Sequence, residues 1–170
     1  MAEPLPYRPN VCMLVYNARR ALLLGLRMGG DTWQFPQGGA KSELSLEENV
    51  YKELSEELGL ARQALGQLTR LNATHRYEFN TVPLRWKKRW RGQEQTFWAV
   101  ELCAPDSAIR LDTHDPAEFS QWRWCSTSDL LAQADPVRRD GYLEPLREFI
   151  GRIGPTTLTP PAAPLEGGPS

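Results

Sequence analysis

Residues 38–60 read GGAKSELSLEENVYKELSEELGL, and the punctuation of this stretch decides the fold around it. Ser45 and Glu48 have the S-x-x-E spacing of a capping box, and Gly59 supplies a helix stop. Between them Leu46, Val50, Leu54 and Leu58 recur every four residues, which predicts one helix with a buried stripe. Glu53, Glu56 and Glu57 stand three and four residues apart, so their carboxylates share a face. Like charges packed that closely repel unless a cation sits among them. Hard oxygen ligands on one helix face suit Mg²⁺ or Mn²⁺, which keeps waters and takes further ligands from substrate phosphates. A solvated, Glu-rich face is the plainer alternative. Lys52 is the only basic residue in this helix, so little internal ion pairing is expected. The glycine turn just upstream also lets backbone approach a ligand. Both details favour metal-assisted phosphate chemistry.

Working outward, the chain has 170 residues and a formal net charge of −1. That length suits one domain with its own core. The charge argues against wholesale, charge-driven binding to nucleic acid or membrane, so any attraction for phosphate must be local. Cys12, Cys103 and Cys125 are odd in number and far apart, which suggests buried, reduced thiols. No apolar run approaches ~18 residues and the N-terminus has no signal pattern, so no membrane association and a cytoplasmic protein are expected.

Val11–Tyr16 and Ala21–Leu26 are apolar runs around Asn17-Ala18-Arg19-Arg20, a strand pair about a turn. Asp31–Gly39, with Pro36, Gly38 and Gly39, ends what precedes it. His75–Asn80 and Gln95–Cys103 read as strands with the basic stretch Arg85–Arg91 looping between them. Glu118–Trp124 alternates like another strand, Ser126 is placed to cap a short helix through Ala134, and Pro136 to Ile153 reads as a terminal helix. From 154 on, Pro, Thr, Ala and Gly dominate, so residues 1–153 are expected to form the domain and 154–170 a disordered tail. Strands mixed with a few helices suggest a layered α/β domain with a mixed sheet.

The stretch 38–60 resembles the Nudix box: Gly38 opens it, Glu53, Leu54, Glu56, Glu57, Gly59 and Leu60 close it, and the length of 23 residues is kept. Two positions depart, because the box's early Glu falls on Leu44 and its Arg on Lys52. Tyr7–Val11, Trp33–Gly39, Gly92–Trp98 and Glu118–Trp124 follow in the order of the bacterial RNA pyrophosphohydrolase and diadenosine tetraphosphate hydrolase branch of that family. Thr96 stands where the branch usually has Lys.

The resemblance implies a Nudix-type α/β/α sandwich with a mixed central sheet and Mg²⁺-dependent hydrolysis of a phosphoanhydride, with Mn²⁺ as the other candidate metal. It implies that Gly38, Glu53, Glu56 and Glu57 hold the metals. Glu118 joins them as a further ligand or as the base that activates water, and Glu53, Glu57 and Glu118 are the catalytic candidates. Lys52 lacks the planar fork of Arg, which weakens a bidentate support of the loop. Arg8 and Arg27 would meet substrate phosphates.

Arg85-Trp86-Lys87-Lys88-Arg89-Trp90-Arg91 is either a solvated loop or a guide for substrate, with Lys87 and Lys88 as its candidate contacts. Phe35 and Tyr77 are candidates for a base-facing role that core packing explains equally well. Arg138 approaches phosphates only if something offsets a cation at a helix N-terminus. The leading expectation is removal of pyrophosphate from 5′-triphosphorylated RNA. The alternatives are asymmetric cleavage of dinucleoside tetraphosphates, or a catalytically weakened RNA- or nucleotide-binding module. No obligate protein partner is evident.

Overall fold

The computed structural model describes residues 3–79, 81, 86 and 89–157. Its central strand is β1 (Tyr7–Tyr16), whose apolar half, Val11 to Val15, is wholly buried. Burial on both faces follows from its place between two layers, where a strand reads as a continuous apolar run. Cys12 and Leu14 point into one core with Phe97, Tyr142, Leu146 and Phe149. Val11, Met13 and Val15 point into the other with Val50, Leu54 and Leu58. The period of two along one strand thus builds both halves of an α/β/α sandwich.

β1 turns through Asn17–Arg20 into β2 (Leu22–Arg27), and the two are antiparallel with Tyr16 opposite Leu22. β6 (Gly92–Leu102) runs parallel to the whole of β1, from Tyr7 opposite Gly92 to Tyr16 opposite Glu101. β5 (Leu65–Glu78) pairs antiparallel with β6 and forms an edge. β7 (Phe119–Cys125) pairs with β2. Asp31–Gly39 does more than end the hairpin. It supplies the short strands β3 (Trp33–Gln34), on β2, and β4 (Gln37–Gly39), which lies along β1 at Asn10–Cys12.

Helix α1 (Leu46–Leu58) has the expected ends. The Ser45 side chain accepts from the Glu48 N–H at 3.0 Å, and Gly59 caps the helix with φ +64°. Val50, Leu54 and Leu58 are fully buried, as the stripe requires. α2 (Leu130–Gln133) is shorter than expected, because Ser126 caps only the turn that leads into it, accepting from Asp129 N–H. α3 (Arg139–Arg152) lies across β5 and β1.

β5 is far longer than the expected His75–Asn80. An edge strand with one wet face alternates polar and apolar residues and shows no apolar run. Its pairing with β6 slips between Arg70 and Thr74. There the N–H groups of Asn72 and Ala73 donate to the Glu148 carboxylate at 2.8–2.9 Å, and Arg152 pairs with the same carboxylate at 2.7 Å. Cys12 and Cys125 are buried as expected, but Cys103 is exposed. Burial pushes the Cys125 thiol up to about 11 and Cys12 higher still.

Beyond α3, the Thr156 N–H donates to Thr127 Oγ1 and the Thr127 N–H to Thr156 Oγ1, each at 2.9 Å, which ties the chain as far as Thr157 beside the first turn. The remainder of the expected tail, residues 158–170, lies outside the described residues. Among the described residues, no helix is long and apolar enough to cross a membrane.

Candidate active site

The site begins at two adjacent glycines. In β4 successive residues point to opposite faces of the sheet, so Gly38 and Gly39 look opposite ways. A Cβ on Gly38 would come within 2.5 Å of Glu53 Oε1, and one on Gly39 within 2.6 Å of Arg8 Nη1. The glycine edge therefore has a carboxylate packed against one residue and a guanidinium against the next. Only the missing side chains make room for both.

Around this edge opens a cleft of about 1210 Å³. α1 lines it with Glu53, Glu56 and Glu57, and β1 with Arg8 and Asn10. Arg27 reaches it from the end of β2, Glu118 from just before β7, and Arg138 from the start of α3. Eight of the residues singled out from the sequence thus share one cavity: Arg8, Arg27, Gly38, Glu53, Glu56, Glu57, Glu118 and Arg138. Arg138 has the compensation its helix position demands, with Asp135 3.7 Å away.

Phe35 is placed elsewhere, fully buried beneath α3 with its ring 4.4 Å from that of Tyr142. Tyr77 sits on β5 in a row of rings with His75 and Phe79, outside the lining of the cleft. Lys87 and Lys88 lie outside the described residues. Trp86, Arg89 and Trp90, from the same basic stretch, do line the cleft. So do Gln34 and Gln93, whose buried side-chain oxygens have no partner among the described residues. Neither was singled out from the sequence, because a glutamine carries no charge or metal-ligand signal.

The carboxylates are electrostatically crowded. Burial raises the pKa of Glu57 well above the ordinary range, and the charges of Glu53 and Glu118 push it further; the Gln37 N–H, donating to Oε2 at 3.1 Å, opposes them. Glu53 is raised by burial and by Glu56, against the pull of Lys52. Lys52 corrects the expectation of little ion pairing. Its ammonium lies 2.8 Å from Glu56 Oε1 and 3.5 Å from Glu53 Oε1, so it bridges both.

Among the described residues, no three carboxylate, His or Cys side chains form a ready-made metal cage. The donor set still fits a hard divalent cation. It consists of oxygens alone, the neighbouring carboxylates raise the proton affinity of Glu53 and Glu57, and a cation is already drawn between Glu53 and Glu56. A metal that completes its shell with water and substrate needs no full protein cage.

A family model described as NUDIX domain matches residues 6–144. The chain belongs to the Nudix family. It is a Nudix hydrolase closely related to RNA pyrophosphohydrolases. It is 39% identical over 145 residues to the RNA pyrophosphohydrolase of Saccharophagus degradans, covering 84% of this chain and 85% of the relative. It is 35% identical over 150 residues to that of Novosphingobium aromaticivorans, covering 85% and 93%. Among solved structures, a Caenorhabditis elegans Ap4A hydrolase superposes with a TM-score of 0.62 at 20% identity, covering 85% of this chain and 96% of that one. The MutT protein of Methanosarcina mazei gives 0.63 at 20%, covering 86% and 98%. These two likenesses speak for the mixed-sheet fold.

Proposed function

We propose that this Nudix hydrolase removes pyrophosphate from the 5′ end of triphosphorylated RNA in a reaction that depends on Mg²⁺, with Mn²⁺ as the alternative metal. The observation that carries the reading is the glycine edge. It brings a cluster of hard carboxylates and an arginine fork to the two sides of one strand, inside one cleft. The relatives' shared name, RNA pyrophosphohydrolase, supports the choice of substrate. The basic and aromatic residues Arg89 and Trp90, which also line the cleft, suit a single-stranded end.

Glu53, Glu56 and Glu57, with Glu118 and the Gly38 backbone, are the residues that would hold the divalent metal. When bound, it would neutralise phosphate charge and lower the pKa of water. Arg8, Arg27 and Arg138 would bind and orient the phosphates, for which paired guanidinium donors are suited. As water attacks phosphorus, its proton passes to a carboxylate, for which Glu57, Glu53 and Glu118 are the candidates. The anhydride P–O bond breaks and the pyrophosphate leaves with its bonding electrons. No side chain in this scheme forms a covalent intermediate.

The test is one purified sample assayed on 5′-triphosphorylated RNA and on diadenosine tetraphosphate, with Mg²⁺, with Mn²⁺ and with chelator. Pyrophosphate release from RNA, abolished by chelator, is the expected result. A large preference for the dinucleotide, or turnover that chelator leaves intact, refutes the proposal.

A further inference from the structure

We infer that Trp86 is a positioning residue that holds the Arg8 guanidinium in place for phosphate. The inference rests on the phosphate role proposed for Arg8 and adds how that side chain is kept in its pose. Arg is long, and fixing it costs rotamer freedom that must be recovered from packing. Two surfaces confine it here. Gly39 lets the guanidinium lie against β4, where any Cβ would displace it. Trp86 lies under the same group, with Arg8 Cζ 4.4 Å from its ring centroid. A guanidinium packed face-on against an aromatic ring has its plane fixed, and with it the direction of its N–H donors. A bidentate phosphate is recognised in that plane.

Trp86 is itself backed. Its ring stacks on Phe79, centroids 5.5 Å apart and 24° from parallel. Its carbonyl accepts from the N–H groups of Arg89 and Trp90 at 2.9 and 3.0 Å, which closes a turn. The Phe79 N–H donates to Arg91 O, and the Arg91 N–H to Pro6 O, both at 3.0 Å. Pro6 leads directly into β1, two residues before Arg8. The stack Arg8–Trp86–Phe79 is thus anchored to the strand that carries the arginine. This gives the basic-aromatic segment a defined task at the cleft, distinct from stacking on bases.

The test is a double-mutant cycle of Trp86→Ala and Arg8→Ala, with Trp86→Phe as the aromatic control and Trp86→Leu as the apolar, non-aromatic one. Three quantities are read: KM and kcat on 5′-triphosphorylated RNA, the Kd for inorganic tripolyphosphate by calorimetry without divalent metal, and Tm. The stack is worth about 3- to 30-fold in affinity at cation–π strengths. Trp86→Ala and Trp86→Leu should raise KM and the tripolyphosphate Kd by that factor while kcat and Tm move little. Trp86→Phe should recover most of it. In the Arg8→Ala background, Trp86→Ala should change the Kd less than twofold.

An equal effect of Trp86→Ala with and without Arg8 overturns the inference, as does a Trp86→Leu protein that binds tripolyphosphate like the wild type. If the wild type binds tripolyphosphate but does not hydrolyse triphosphorylated RNA, the proposed function fails while the cycle still decides the role of Trp86.

Discussion

Gly38→Ala asks whether the glycine edge is what places Glu53. Gly38 has no positive φ, so alanine fits the backbone and no strain is expected there. The new Cβ would lie 2.5 Å from Glu53 Oε1, where ordinary contact begins at 3.4 Å. Glu53 lines the cleft, so its carboxylate yields by moving away from the strand, out of the place that the glycine leaves for it. A displacement of about an ångström at a reacting group costs ~10²-fold in rate. The expected result is therefore a fall of kcat/KM on triphosphorylated RNA of about that size, with weaker Mg²⁺ binding by calorimetry and a Tm close to wild type. Gly30→Ala is the control, since its Cβ meets nothing nearer than 3.7 Å and it lies outside the cleft. If Gly38→Ala stays within about threefold of wild type in both rate and Mg²⁺ affinity, the close approach of strand and carboxylate is not what organises the site.

Glu57→Gln should abolish Mg²⁺-dependent turnover with the fold intact by circular dichroism. Because the folded state raises the Glu57 pKa, its charge opposes folding at neutral pH; metal-free wild type should therefore gain stability as pH falls through that raised value. Glu57→Gln should flatten this slope in a Tm–pH series. Glu148 works the other way. Burial opposes its charge, but the Asn72 and Ala73 N–H groups and Arg152 outweigh it, and its pKa is lowered. The stability it contributes is present above the ordinary carboxylate value and lost as pH falls through the lowered one. Glu148→Gln should cost about 1.5–3 kcal/mol at neutral pH in urea unfolding and leave kcat unchanged. Gly59→Ala should cost at least ~1–2 kcal/mol for the left-handed conformation, and more because its Cβ would meet the Arg110 carbonyl at 2.9 Å. A Gly59→Ala protein as stable as wild type in the same assay would refute that account.

α1 and the first hairpin were legible because their signals are local. Caps, a four-residue stripe and uninterrupted apolar runs each act within a few residues. β5 was mostly invisible because an edge strand owes its structure to β6, and Leu65–Arg70 carries too little apolar patterning to betray it. The two shortest strands looked like a terminating turn, since Trp33–Gln34 and Gln37–Gly39 have no pattern of their own and exist only through pairing with β2 and β1. In the cleft, the carboxylates and arginines could be named from motif and residue type. Lys52 was misjudged by counting basic residues instead of tracing geometry: Glu56 is its i+4 neighbour, a spacing that brings side chains together. Trp86 stood in a noted stretch, yet its contact with Arg8 joins distant parts of the chain and leaves no sequence trace.

The double-glycine edge also bears on what the cleft can select. Glu53 packs against Gly38 and Arg8 against Gly39 on the other face of the same short strand, so the cleft carries both signs of charge. A lone anion entering this space meets the arginine's attraction together with the carboxylates' repulsion, and a lone cation meets the reverse. A phosphate chain arriving with its own divalent counter-ion answers both at once. The two ions should therefore bind with positive linkage, each raising the other's affinity by the same factor. Discrimination between polyphosphates and other anions would then be set partly by how well each carries a metal in with it.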